Sequence, residues 1–235
     1  MLPQHSVTGG TIVIILQRKP LQDILSLLSP YRCILVAGCN GCAAICHAGG
    51  EKEVGINASL IRLARKAEGV DCEVIEKTVE RQCEYEFLDA FSQEVKSCDA
   101  VLSLSCGVGV QALMEKYADK AVYPGVNTVF MGMPVEQGVW VERCSGCGDC
   151  TVWRTGGICP VTRCSKSLLN GPCGGSDKGK CEVDRENLDC AWYLIYNRLK
   201  ERGTLHLIDD VLPPKDWRTS RDGGVRRLVR EDLQL

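Results

Sequence analysis

Between about Gly10 and Met133, short apolar runs alternate with amphipathic stretches whose apolar positions recur at helical spacing. CILVAG (33–38) predicts a strand. EKEVGINASLIRLARKAEG (51–69) predicts a helix, with Val54, Leu60, Ile61 and Leu63 apolar and charges between them. The pattern then repeats: CEVIEKTV (72–79) as strand, 84–96 as helix, AVLSLS (100–105) as strand, 110–118 as helix and NTVFMG (127–132) as a fourth strand. Strands separated by helices of ten or more residues form βαβ units, so the expected fold is α/β, a doubly wound parallel sheet of Rossmann or flavodoxin-like type.

From Val139 to about Cys190 this rhythm stops. The stretch holds eight cysteines, the Gly156–Gly157 pair and GPCGG (171–175), with little apolar periodicity. Such a backbone lacks the means to organise itself around a hydrophobic core alone, and metal is expected to supply part of its folding free energy. AWYLIYNRLKERG (191–203) then predicts a helix ended by Gly203, with Lys200 and Arg202 in its last turn. Three regions follow: an α/β domain over 1–138, a Cys-rich ferredoxin-like iron–sulfur region with its closing helix over 139–203, and a C-terminal tail over 204–235. The tail is broken by Pro213 and Pro214 and carries five arginines from Arg218 to Arg230, which read as a solvated segment or as a docking arm.

Composition sharpens this picture at one point. Sixteen of the 235 residues are Cys and only three are His. The net charge of −2 and the absence of a basic face disfavour nucleic acid as a partner. The apolar run at Thr11–Leu16 is far shorter than a signal h-region or the ~20 residues of a membrane span, so no membrane association is expected and the expected compartment is a reducing cytoplasm. In that compartment clustered thiols bind metals more often than they pair.

The strongest signal is CSGCGDC, in which Cys144, Cys147 and Cys150 are each separated by two residues, followed by the Cys159–Pro160 pair. Three thiols at this spacing suit the corners of a cubane, and a remote Cys-Pro is the ferredoxin-like companion. Zinc usually draws its ligands as two pairs or with histidine. Cys164, Cys173, Cys181 and Cys190 form a second set, sufficient for another cluster or for a closed four-cysteine zinc site. Spacing alone leaves the partition open, because paired clusters can exchange a ligand.

A third set follows from topology. Ligands of open parallel sheets bind beyond the carboxyl ends of the strands. Cys39 and Cys42 follow the first of these strands, Cys83 the second and Cys106 the third, so successive crossover loops bring thiols to one edge. Cys46, one turn after Cys42, is a fifth candidate or a helix-face residue. Cys33, Cys72 and Cys98 fall on the opposite edge, where small buried hydrophobes are expected. Gly107 and Gly109, in GVGVQA, match a dinucleotide fingerprint, but no acidic residue ends the following strand to hold a ribose. These glycines read more simply as letting backbone approach a bulky cofactor at a helix N-terminus. His47 reads as a residue behind the ligands or on the surface.

With these residues laid out, the chain resembles the C-terminal-type domain of methylenetetrahydrofolate reductases, which in acetogens forms a separate iron–sulfur subunit beside the flavin-bearing reductase. The resemblance rests on GCNGCAAICHAGGEKEV (38–54), ERQCE (80–84), LSCGVGVQ (104–111), ERCSGCGDC (142–150), GGICPVTRCSKSLLNGPCGG (156–175), GKCEV (179–183) and DCAW (189–192), and spans about Ile12 to Leu199. It implies an electron-transfer subunit with two or three [4Fe–4S] clusters, zinc being the alternative at one four-cysteine site. It also implies a flavin-containing methylenetetrahydrofolate reductase partner carrying FMN or FAD, further electron-donor subunits, and a place in the methyl branch of one-carbon metabolism. The chain itself offers no nucleophile–base pair, no H-E-x-x-H and no P-loop. A zinc-stabilised interaction subunit is the alternative function, and flavin or folate binding at the Gly107 turn a third.

Overall fold

The computed structural model describes residues 14–233. The chain divides into two compact units, one running to Val141 and the other from Glu142.

The first unit contains strand β1 (Ile14–Arg18), helix α1 (Leu21–Leu28), strand β2 (Cys33–Cys39), helices α2 (Cys42–Ile45) and α3 (Glu51–Ala67), and strand β3 (Glu73–Val79). These are followed by helices α4 (Tyr85–Leu88) and α5 (Ser92–Ser97), strand β4 (Ala100–Ser103), helix α6 (Gly107–Lys116), strands β5 (Ala121–Pro124) and β6 (Val126–Glu136), and the start of β7 (Val139–Cys144), whose residues from Glu142 on belong to the second unit. Four of these strands form a parallel sheet in the order β3-β2-β4-β5. Its continuous apolar strands follow from burial on both faces. Ile34 and Val36 of β2 pack with Ile24 and Leu28 of α1 and with Val54, Ala58 and Ile61 of α3. The alternate residues Leu35 and Ala37 pack with Leu88, Phe91 and Val95 and with Val110 and Leu113 of α6. Helix α3 starts where the Glu53 carboxylate accepts the Gly50 N–H at 3.1 Å, satisfying one orphan donor of the first turn.

Three details differ from the sequence pattern. The segment 127–132 is a strand, but not the fourth of the parallel sheet. That place belongs to the short β5, whereas β6 joins β1 and β7 in a separate three-stranded sheet, pairing antiparallel with β1. Four residues ending in Pro124 are too short to show a period, and Gly125 lets the chain turn where an added Cβ would lie 2.5 Å from Leu104 Cδ2. The helix expected over 84–96 is interrupted by a 3-10 turn at Asp89–Phe91. Here the Tyr117 hydroxyl donates to the Leu88 carbonyl at 2.7 Å, a side-chain bond that competes with helical pairing. Helix α6 begins at Gly107 rather than near Val110, because the Gly107 N–H is satisfied by Thr128 Oγ1 at 2.8 Å.

The second unit has little regular structure. It contains helix α7 (Pro160–Arg163), the antiparallel pair β8 (Lys180–Cys181) and β9 (Asp184–Asp189), and helix α8 (Ala191–Glu201), with 3-10 turns beyond it. Its core is small: Ile158, Cys190, Trp192, Ile195 and Leu199. Trp192 Nε1 donates to the Leu168 carbonyl at 2.9 Å, tying the helix to the irregular loop. Residues after 203 are not a detached tail. Thr219 Oγ1 donates to the Cys147 carbonyl at 2.8 Å and Arg226 to the Gly146 carbonyl at 2.7 Å. Lys215 pairs with Asp149 at 3.6 Å. The Arg-rich segment is therefore strapped onto the CSGCGDC loop. Among the described residues, no helix is long and apolar enough to cross a membrane.

Candidate functional site

All sixteen cysteines are free thiols. In the first unit the carboxyl ends of three adjacent strands carry the thiols. Cys39 closes β2, Cys42 opens α2, Cys83 lies in the loop after β3, and Cys106 immediately precedes α6. The loop from β2 to α3 is drawn back over the sheet by two backbone bonds, from Cys39 N to the Gly49 carbonyl at 2.9 Å and from Asn40 N to the Val79 carbonyl at 2.9 Å.

Burial pushes the Cys39 thiol up, opposed by the Gln82 and Gly41 backbone N–H groups that face its sulfur; Cys106 and Cys42 add to the rise. Burial also raises Cys83, with Cys106 and Cys39 as its next causes. These mutual influences place Cys39, Cys42, Cys83 and Cys106 in one neighbourhood. Burial raises the Cys46 thiol as well, and Cys42 adds to the rise, so Cys46 borders that set. It is 5 % exposed in the core beside Leu16 and Ala48, and its Sγ donates to the Ala43 carbonyl at 3.6 Å. Gly109 sits where α6 crosses Gln82 and Ser105, and an added Cβ there would lie 2.7 Å from Ser105 Oγ. The Gly107 position is open by comparison, with Thr128 Oγ1 at 3.6 Å from such a Cβ. His47 is exposed and adopts φ 53°.

At the opposite edge, Cys98 is 3 % exposed and Cys33 and Cys72 are half-buried. Burial, then the charges of Glu73, Cys98 and Asp99, push the Cys33 thiol up to about 11. A thiol so raised stays protonated until the pH approaches that value. At pH 8, alkylation of Cys33 by iodoacetamide should therefore be slower than that of a free cysteine by roughly 100-fold or more. Its rate should climb as the pH rises toward 11. Peptide mapping of the alkylated protein checks this, and rapid labelling at pH 8 would contradict the protected environment.

In the second unit, Cys144 closes β7 while Cys147 and Cys150 lie in the following loop, where the Gly146 N–H donates to Cys144 Sγ at 3.3 Å. Cys159 and Cys164 flank α7. Cys147 and Cys164 open onto a solvent-connected cavity of about 830 Å³, walled on one side by Trp217, Ser220 and Arg221 of the strap. Cys164, Cys173, Cys181 and Cys190 all line a second, more enclosed cavity together with Trp192. Cys164 thus borders both cavities. Within the second set, Ser165 Oγ lies 3.5 Å from Cys181 Sγ, and this contact, with the Val183 N–H, draws the Cys181 thiol below its ordinary value. The Gly175 N–H donates to Cys173 Sγ at 3.4 Å, and Lys166 pairs with Glu182 beside it.

Among the described residues, no three or more Cys, His, Asp or Glu side chains converge closely enough to hold one metal ion. Five thiols of the second unit, Cys147, Cys164, Cys173, Cys181 and Cys190, line cavities instead. A donor set made only of thiols, with backbone N–H groups aimed at several sulfurs, matches the ligand chemistry of iron–sulfur clusters and of four-cysteine zinc. Sequence reasoning missed Gln82 and the strap residues, for which the signals were faint: a lone amide within the charged ERQCE string, and a Thr-Ser pair among arginines.

No curated protein and no solved structure matches the chain. A family model does match, over a segment that begins at Tyr123, so the strings GCNGCAAICHAGGEKEV, ERQCE and LSCGVGVQ fall outside it. Residues 123–218, which contain all eight cysteines of the second unit, match the family model described as methylene-tetrahydrofolate reductase C terminal.

Proposed function

We propose that this chain is an iron–sulfur electron-transfer subunit serving a flavin-containing methylenetetrahydrofolate reductase. The observation that carries the reading is that Cys164, Cys173, Cys181 and Cys190 line one cavity, while Cys144, Cys147, Cys150 and Cys159 offer four further thiols in the same unit. The family match over 123–218 supports the choice of partner. The sheet-edge thiols Cys39, Cys42, Cys83 and Cys106 supply a third set.

A bound cluster would supply one-electron redox chemistry, at a potential governed by hydrogen bonds to sulfur, local charge and exposure. The chain's own residues hold and tune. The thiolates would bind iron, while the N–H groups of Gly146, Gly175, Gly41 and Gln82 face ligand sulfurs. Trp192 lines the cavity of the second set, and the strap bonds to the loop of the first. The flavin and folate sites, in this reading, belong to the partner.

A zinc-stabilised interaction subunit is the second reading. It is favoured specifically by Cys190, buried in the small core around Trp192, and by Cys164, which packs against that core, both of them lining one cavity with Cys173 and Cys181. Anaerobic purification followed by iron, zinc and acid-labile sulfide analysis separates the two. Iron and sulfide in equal amounts, with a paramagnetic signal on reduction that Cys147→Ser alters, are expected. A colourless protein holding only zinc overturns the electron-transfer reading.

A further inference from the structure

The thiols at the sheet edge come from three separate loops, and parallel-sheet pairing ends before it reaches two of them. Below them lies a buried polar group that the cluster reading does not use. Gln82 is fully buried, as is Ser103, and Ser105 is 1 % exposed. Gln82 Nε2 donates to the Ala37 and Gly38 carbonyls, each at 3.0 Å. Ser103 Oγ donates to Gln82 Oε1 at 2.7 Å, and the Ser103 and Ser105 hydroxyls share a bond of 2.8 Å. Every donor of the carboxamide is used, and both of its ends are engaged.

The positions of these partners give the arrangement its meaning. Gln82 immediately precedes Cys83, Ser105 immediately precedes Cys106, and Gly38 immediately precedes Cys39. One side chain therefore ties together the residues before three of the four thiols, each on a different loop. Helix α6 is shaped around the same group, since a Cβ at Gly109 would lie 2.9 Å from Gln82 Cβ and 2.7 Å from Ser105 Oγ. A buried carboxamide bound at both ends holds its partners at a set separation, because leaving either end unmet costs its desolvation.

We propose that Gln82, locked by Ser103 and Ser105, is a positioning residue that sets the spacing of Cys39, Cys83 and Cys106 for a bound cluster. The inference rests on the cluster reading of this edge. Gln82 touches no iron in this scheme; it acts through the backbone that carries the ligands. Without it the loops remain joined to the sheet but lose their mutual register, and the cluster they hold becomes labile.

The test uses the full chain, prepared anaerobically as wild type, C106S, Q82M and S103A. Iron and sulfide content, the paramagnetic spectrum and the rate of iron loss to a chelator are measured on each. Loss of one cluster's iron in C106S, with the other signals intact, is expected; unchanged metal content there overturns the cluster reading of this edge and the proposal with it. If C106S behaves as expected, Q82M should retain the other clusters but release iron from this one roughly tenfold faster, the scale seen when groups behind metal ligands are removed. Its paramagnetic signal should also shift. Release within twofold of wild type, with an unchanged spectrum, overturns the proposal while leaving the cluster reading in place. A uniform drop in thermal stability without site-selective iron loss overturns it too, since that is a merely structural role. Should Q82M fail to fold, S103A decides, because it removes the Oε1 partner and its link to Ser105 while leaving Gln82 itself in place. Selectively faster loss from the same cluster supports the proposal, and a wild-type rate overturns it.

Discussion

Stripping metal from the anaerobic protein with a chelator is expected to unfold residues 142–235 while residues 14–141 keep their structure. The first unit buries two apolar layers, one on each face of its parallel sheet, with Leu28, Ile34, Leu35, Phe91, Leu102 and Leu113 sealed from solvent. The second relies on Ile158, Cys190, Trp192, Ile195 and Leu199, a core too small to offset the ordering of so much irregular backbone. Metal bound by thiolates supplies folding free energy on the order of 10 kcal/mol in small domains of this kind. Losing it should leave α8 without a surface to pack on. Hydrogen exchange read by mass spectrometry measures the effect: protection across 142–235 should collapse after chelation and return when metal is restored. Unchanged protection in verified metal-free protein would show that the second unit folds on its own.

Gly49→Ala should be the most damaging single methyl group added to the first unit. Its Cβ would stand 1.7 Å from the Leu104 carbonyl oxygen, a backbone atom with no freedom to swing aside. Leu104 is itself bonded through its N–H to the Ala37 carbonyl at 2.8 Å, and Gly49 holds the Cys39 N–H through its own carbonyl at 2.9 Å. Relief therefore requires β2, β4 or the α2–α3 turn to move, and the cost should be about 3 kcal/mol or more. The thiols of Cys39 and Cys106 would be displaced with them. Gly55→Ala provides the contrast. It lies within α3, and its added Cβ would meet only Glu76 Oε2 at 3.5 Å, so the gain in helix propensity should leave stability unchanged or raised by up to about 1 kcal/mol. Denaturant unfolding of the two variants beside wild type measures both. Equal stability of Gly49→Ala and wild type would contradict the close approach at Leu104.

The alternation of apolar runs was enough to find β2, β3, β4 and α3 within one or two residues, because those elements are buried along an unbroken face and their periodicity is local. It was also enough to assign thiols to strand ends, since topology follows once strands alternate with helices. Where an element is short or its partner distant, the pattern carried little. Four residues of β5 show no period, and β8 and β9 pair within a loop of glycines and charges.

The sequence by itself determined which residues are chemically equipped: sixteen thiols and three histidines, most of the thiols in fixed strings, placed on loops by a parallel α/β pattern. Tertiary structure alone decided which of them are buried and which share a cavity. Cys46 is one helical turn from Cys42, yet it turns into the core toward Leu16, and no periodicity distinguishes the two outcomes. Cys164 lines one cavity with Cys173, Cys181, Cys190 and Trp192, all distant from it in sequence. Thr219 reaches Cys147 across 72 residues, and Gln82 reaches Ala37 across 45. Contacts at such separations depend on the packing of whole elements, and local residue patterns hold no record of which distant atoms will meet.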